Sequence, residues 1–193
     1  MTYQFKIQLK NVSNPTVWRR LQVPSDYSFE QFHNAIQYAF GWEFSHLFFF
    51  SPTGYNSHPI IEMNYEGDPF YEPLDDYSLD AMSTLLSEIF VKEKQKFTYL
   101  YDFGDDWKHQ ITLEKILTDT KIEKPILLKG EGACPPEDCG GSWSYEVLKV
   151  TLADKKHPEH KEMKEWLGLR PRDNWDAAAF DMEEHQQKIN LYC

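Results

Sequence analysis

From Phe97 to Leu113 the odd-numbered positions read Phe, Tyr, Tyr, Phe, Asp, Trp, His, Ile and Leu, while the even positions are almost all polar. A side-chain period of two is the signature of a half-buried strand. The interruption at Gly104-Asp105-Asp106 divides the run into two strands of a hairpin. Pairing across that three-residue loop sets 103 opposite 107, 101 opposite 109, 99 opposite 111 and 97 opposite 113. Phe97, Tyr99, Tyr101, Phe103, Trp107, His109, Ile111 and Leu113 then share one face. A slip of one residue would mix the apolar and polar sets, so the parity is strongly specified. In this register Asp102 lies opposite Lys108 as a cross-strand charge pair.

The same stretch, YDFGDDWKH, gathers three carboxylates and a histidine in nine positions. One reading makes Asp105 and Asp106 turn residues and His109 an apolar-face histidine opposite Tyr101. The other makes Asp105, Asp106 and His109 a divalent-metal or acid–base site. The Asp-Phe-Gly string is not kinase chemistry, because no glycine-rich loop, VAIK-like strand or HRD loop accompanies it.

Alternation also marks Tyr3, Phe5, Ile7 and Leu9, and then Val17, Arg19, Leu21 and Val23, with the turn-rich NVSNP between them. SFEQFHNAIQYAFGW is an amphipathic helix, with Ser28 and Gln31 as a capping box and Gly41 at its end. HLFFFSP and HPIIEM are short strands, and a short helix is expected around Met82–Ile89. PILLKGEGACPPEDCGG reads as a Gly/Pro-rich connection. SWSYEVLKVTLAD, HPEHKEMKEWLG and WDAAAFDMEEHQQKINL favour helix, with Pro158 in a first turn and Gly168 at a helix end. The expected class is α+β: one domain over 1–193, with a mixed or antiparallel sheet and one amphipathic helix in 1–130 and a mainly helical portion in 131–193.

The net charge is −11, and residues 51–91 hold eight acids without a Lys or Arg. Only Arg19, Arg20, Arg170 and Arg172 are arginines, so bulk nucleic-acid binding is disfavoured. Residues 62–80 read as a long acidic surface loop. Tyr65, Phe70, Tyr71 and Tyr77 make it a plausible protein-binding edge. No apolar run approaches the roughly 20 residues of a membrane helix, and MTYQFKIQLK does not resemble a secretory signal. The expectation is a cytoplasmic protein without a disulfide framework, since its cysteines are only Cys134, Cys139 and Cys193.

Further candidates are scattered along the chain. Arg19 shares its parity with Val17 and Leu21, so it should meet a buried or cleft carboxylate. Arg19, His33, His46, Tyr101 and Trp107 are candidate lining of a binding cleft. Cys134 and Cys139, four residues apart between them, could hold zinc with His157 and His160. The plainer reading is a rigid turn with Asp138 or Ser142 capping the next helix. A metal-dependent hydrolase or nuclease would draw on Asp105, Asp106, His109, Glu137, Asp138 and Cys139. It requires the Gly-Asp-Asp turn and the Pro-Pro-Glu-Asp loop to converge.

VWRRLQVP, FHNAIQYAFGW with the following HL, FTYLYDFGDDWKHQITLE, CPPEDCGG and HPEHKEMKEWLG with the following FD occur in this order. Together they resemble the plasmid open-reading-frame-three-like family first named from an Ri plasmid. The resemblance implies an α+β domain and a loose link to mobile elements, but no established activity. Some relatives carry a resolvase-type name as passenger proteins of insertion sequences. Serine recombinases place their nucleophile in a Tyr-x-Arg-Val-Ser pattern, whereas LKNVS here has Asn11 at the arginine and puts Ser13 in a turn. The functional expectation is therefore a non-catalytic binding module with no cofactor. The alternative is the metal-dependent enzyme, with zinc or another divalent ion.

Overall fold

Strand β1 (Thr2–Leu9) lies inside the sheet, with its apolar odd positions on the core face. It pairs antiparallel with β2 (Trp18–Pro24) on one side and with β7 (Trp107–Leu117) on the other. Phe5 stands between Leu21 and Leu113, and Ile7 between Arg19 and Ile111. The computed structural model describes residues 1–64 and 76–193. Its remaining strands are β3 (Phe48–Ser51), β4 (Ile60–Glu62), β5 (Ser78–Asp80), β6 (Lys96–Tyr101) and β8 (Ile126–Glu131). The sheet runs β5-β4-β3-β6-β7-β1-β2-β8, antiparallel throughout except for the β4–β5 pair. No helix among the described residues is long and apolar enough to cross a membrane.

Helix α1 (Phe29–Phe40) covers the core face. Ser28 Oγ accepts from the Gln31 amide and Gln31 Oε1 accepts from the Ser28 amide, which closes the capping box. Gly41, at φ 103°, ends the helix. Phe29, Phe32, Ile36 and Phe40 are all fully buried. Ring centroids lie 4.8 Å apart for Phe5–Phe32, 5.0 Å for Phe29–Phe50 and 4.7 Å for Phe50–Tyr99. Aromatic pairs at such distances favour tilted or edge contacts that add to area burial. The other helices are α2 (Leu86–Ile89), α3 (Gly141–Ala153), α4 (His160–Trp166) and α5 (Met182–Tyr192). The chain is thus an α+β fold with a mixed sheet and most of its helices C-terminal.

Several expectations need correcting. The β6–β7 hairpin keeps the expected parity but slips by two residues: Tyr101 pairs with Trp107, Tyr99 with His109 and Phe97 with Ile111. Leu100, not Asp102, faces Lys108. Asp102 belongs to the turn at φ 56°, and Phe103 is exposed. Asp102 Oδ1 accepts from the amides of Gly104 and Asp105, so the loop closes earlier than Gly104 alone would dictate. The connection after residue 125 begins with an edge strand, β8, in which only Leu127 is buried. Part of the acidic loop, Ser78–Asp80, is a strand. Tyr65, Phe70 and Tyr71 lie outside the described residues. Helix α5 starts only at Met182, where Asp181 caps it by accepting from the Glu184 amide. Pro158 precedes α4 instead of entering it.

Arg19 is fully buried, as its parity requires, but no carboxylate among the described residues receives it. Its guanidinium donates to the carbonyls of Ala39, Trp18, Glu131 and Gly132. It also lies 3.8 Å from the Phe180 ring centroid and 4.9 Å from that of Phe40. Burial lowers its pKa to about 10, so it stays charged at neutral pH. A Cβ on Gly130 would come within 2.5 Å of Phe180 and 2.8 Å of Arg19, which keeps that position free of a side chain. Arg19→Lys keeps the charge but loses the planar fork. The expected loss is about 2–3 kcal/mol, read as a lower urea midpoint at unchanged slope.

His109 is fully buried beside Phe40 and Trp42. Neither ring nitrogen makes a well-aligned hydrogen bond, although the Trp107 and Tyr99 carbonyls lie close to the ring. Burial holds its pKa at about 3, and that of His33 likewise. The unfolded chain would protonate both below about pH 6.5. It therefore binds more protons than the fold, and stability falls as the pH drops through that value. Urea titrations between about pH 6.5 and 5 should show this decline. His109→Phe should make its slope shallower than in the wild type.

Candidate functional site

Three connections meet at one end of the sheet: residues 41–47 after α1, the turn 102–106, and residues 132–140 before α3. Tyr101, the last residue of β6, ties two of them together. Its hydroxyl accepts from the Ser45 amide and donates to Glu137 Oε1, at 3.0 and 2.9 Å. Glu137 Oε1 also accepts from the Glu43 amide at 2.8 Å. The third join is made by Asp105, whose Oδ2 accepts from the Gly140 amide at 3.0 Å. Gly141 then lies against the Asp105 carbonyl, where a Cβ would stand only 2.6 Å from the oxygen.

This convergence leaves one nitrogen and three carboxylate oxygens facing one another. His46 Nε2 lies 3.1 Å from Asp138 Oδ1, 3.6 Å from Asp102 Oδ2 and 3.7 Å from Glu137 Oε2. His46, Asp102 and Asp138 each offer an atom within 4.8 Å of the others. Among the described residues neither His46 Nε2 nor Glu137 Oε2 finds a hydrogen bond of proper geometry, yet both atoms are buried. The Asp102 side chain is only 8% exposed, and its Oδ1 is occupied by the turn. That leaves Oδ2 directed at His46. The Asp138 side chain, 74% exposed, opens the cluster to solvent. Burial raises the pKa of Glu137 despite its bonds to Tyr101 and Glu43.

Atoms bound about 2.1 Å from one ion stand roughly 3.0–3.4 Å apart when they subtend right or tetrahedral angles. The His46–Asp138 and His46–Asp102 separations are close to that range. The arrangement can thus accept a cation on His46, Asp102 and Asp138 after small side-chain adjustment. It also leaves Glu137 Oε2 beside the open position.

The turn and the Pro-Pro-Glu-Asp loop do meet, but with a different cast from the one the sequence suggests. Asp105 is a bracing residue, and Asp106 points outward, where its carboxylate reaches Tyr55. His109 is buried in the aromatic core. His33 stacks on Phe48 at 3.6 Å and bonds to the Tyr99 hydroxyl. Trp107 is buried without a partner for its indole nitrogen. Cys134 and Cys139 are free thiols. Burial raises the pKa of both, that of Cys139 to about 12 with help from Asp105. Among the described residues neither cysteine joins a set of three close ligand atoms. His157 Nδ1 accepts from the Glu159 amide, and His160 Nδ1 lies 3.1 Å from the Thr151 carbonyl. Asp102 is the candidate site residue that the sequence reading passed over. Its signal was an aspartate two residues before a glycine, which marks an Asx turn.

The comparisons with known proteins span nearly the whole chain. The family model described as plasmid pRiA4b ORF-3-like protein matches residues 1–184. "Uncharacterized protein y4hQ" of Sinorhizobium fredii (strain NBRC 101917 / NGR234) is 35% identical over 188 residues, covering 97% of this chain and 90% of that protein. The crystal structure of the protein of unknown function MM3350 from Methanosarcina mazei Go1 superposes with a TM-score of 0.77 at 33% identity. That likeness covers 95% of this chain and 96% of the other. The chain belongs to the plasmid pRiA4b ORF-3-like family.

Proposed function

We propose that this protein is a divalent-metal-dependent hydrolase whose ion is held by His46, Asp102 and Asp138, with Glu137 as general base. The supporting observation is the convergence of His46 Nε2 on three carboxylate oxygens without competing hydrogen bonds. Three protein ligands and an open position are the usual composition of a catalytic zinc site. A bound ion would acidify a water and polarise a substrate oxygen there. The chain's own contribution is positional. Tyr101 and the Glu43 amide hold one oxygen of Glu137, which would leave the other free to accept a proton. Burial, by raising the pKa of Glu137, makes it a stronger base than a solvated carboxylate.

The exposed groove beside Asp138 favours a second reading, in which the ion only holds a ligand. It keeps the non-catalytic role that the sequence suggests but, unlike that expectation, includes an ion. Both readings share the ion and differ at Glu137.

The test begins with calorimetric titration of Zn2+ or Mn2+ into chelator-stripped protein, where one site is expected. Asp102→Asn should weaken binding by at least about 100-fold. Absence of binding, or binding indifferent to Asp102→Asn, overturns the proposal. Glu137→Gln should keep the ion and lose hydrolysis in an ester and amide panel. If the loaded wild type hydrolyses nothing, the binding module stands.

A second prediction concerns Gly141, which touches no ligand atom. Gly141→Ala, at φ +76° and against the Asp105 carbonyl, should push the two loops apart. Calorimetry should show at least about tenfold weaker metal binding, while the urea midpoint of the sheet moves far less than the affinity.

A further inference from the structure

A groove of about 290 Å³ runs between α3 and α4 and opens beside the cluster, with Asp138 common to both. Trp143, Val147, Leu148, Met163 and Trp166 line it. Four of the six tryptophans are buried or half-buried, whereas Trp143 is 77% exposed and Trp166 48% exposed. Val147 is also exposed, and Leu148 forms a buried floor. Exposed large apolar side chains scattered singly need no explanation, but three around one concavity mark a binding surface. The volume lies at the small end of ligand sites and suits a phenyl ring or a short acyl chain. Helix α3 begins at Gly141, next to the Asp105 carbonyl, so this wall is tied to the cluster by the same contact that closes it.

Charge narrows the other end of the ligand. Asp102 and Asp138 would neutralise a divalent ion, and Glu137 adds a negative charge beside it. Glu43, Asp105 and Asp106 belong to the surrounding loops, and none has a Lys or Arg ion-pair partner among the described residues. A phosphate dianion would meet repulsion from Glu137 and the loop carboxylates, whereas a neutral carbonyl oxygen would not.

Resting on the metal reading above, we propose that the substrate is a neutral ester or amide whose apolar acyl or aryl part lies in the α3–α4 groove. Trp143 and Val147 then set specificity, and the His46–Asp102–Asp138 centre receives the carbonyl.

Hydroxamates separate the two halves of this proposal, because they chelate a metal whatever their tail. Zinc-loaded protein is titrated with acetohydroxamate, benzohydroxamate and inorganic phosphate by calorimetry. Each buried methylene equivalent contributes roughly a fourfold gain, so benzohydroxamate should bind at least about tenfold tighter than acetohydroxamate. Val147→Asp and Trp143→Ser, both at exposed positions, should erase that difference and leave acetohydroxamate unchanged. Equal affinities in the wild type, or a difference that survives both substitutions, overturn the groove assignment while the metal reading stands. Phosphate binding tighter than benzohydroxamate overturns the neutral class. If loaded protein binds no hydroxamate, there is no open position on the ion, and both readings fall.

Discussion

Gly141 lies so close to the Asp105 carbonyl that even a methyl group would stand 2.6 Å from its oxygen, and the candidate site depends on that approach. The β6–β7 turn and the start of α3 are distant in sequence, and each carries part of the donor set. Gly140 and Gly141 both take positive φ, at 88° and 76°, which lets the chain fold under the turn. The Gly140 amide bonds to Asp105 on one side of the junction, and Tyr101 bonds to Glu137 on the other. Asp102 and Asp138 are then held on facing loops, with His46 between them. Site geometry here follows from backbone packing, and the candidate ligand side chains are borne by loops that a rigid hairpin and a helix start position.

Arg19 extends that dependence into the sheet. Its guanidinium binds the carbonyls of Glu131 and Gly132, the residues from which the Pro-Pro-Glu-Asp loop departs. It also binds Ala39, near the end of the helix that precedes the His46 loop. One buried cation thus anchors the roots of two of the three connections. Backbone carbonyls can do this without a neutralising carboxylate, because several dipoles converge on the planar fork and aromatic faces complete the shell.

Parity was the most legible property of the chain. The alternation from Phe97 to Leu113 assigned the odd-numbered core residues of that hairpin to their face except Phe103, although Thr98 and Leu100 on the other face are buried as well. Register was not legible, because Asp102 closes the turn with its own side chain and moves the pairing by two. A shift of two preserves every facing, so the hydrophobic pattern cannot detect it. β8 was missed for a related reason. As an edge strand it buries only Leu127 and leaves Ile126 and Leu128 exposed, which blurs its alternation. Arg19 was recognisable as buried from its parity, yet its partners are carbonyls, and every residue carries one. His46 and Asp102 are 56 residues apart in sequence. Their meeting is a property of the folded loops, so no local motif encodes it.

The electrostatics of the cluster give the metal reading its energetic basis. Among the described residues, Asp102, Glu137 and Asp138 have no ion-pair partner except His46. Even a protonated imidazole leaves three carboxylates opposed by one positive charge. Like charges gathered this way attract a counter-ion, and partial burial strengthens that tendency. A divalent ion would convert that repulsion into coordination and add stability by mass action, about 2.7 kcal/mol at a hundredfold excess over its dissociation constant. Asn in place of Asp102 would relieve the repulsion but remove the ligand, so it can stabilise the metal-free fold while destroying the site. Opposite effects on apo stability and on affinity are what distinguish a binding cluster from a structural ion-pair network, where one substitution weakens both.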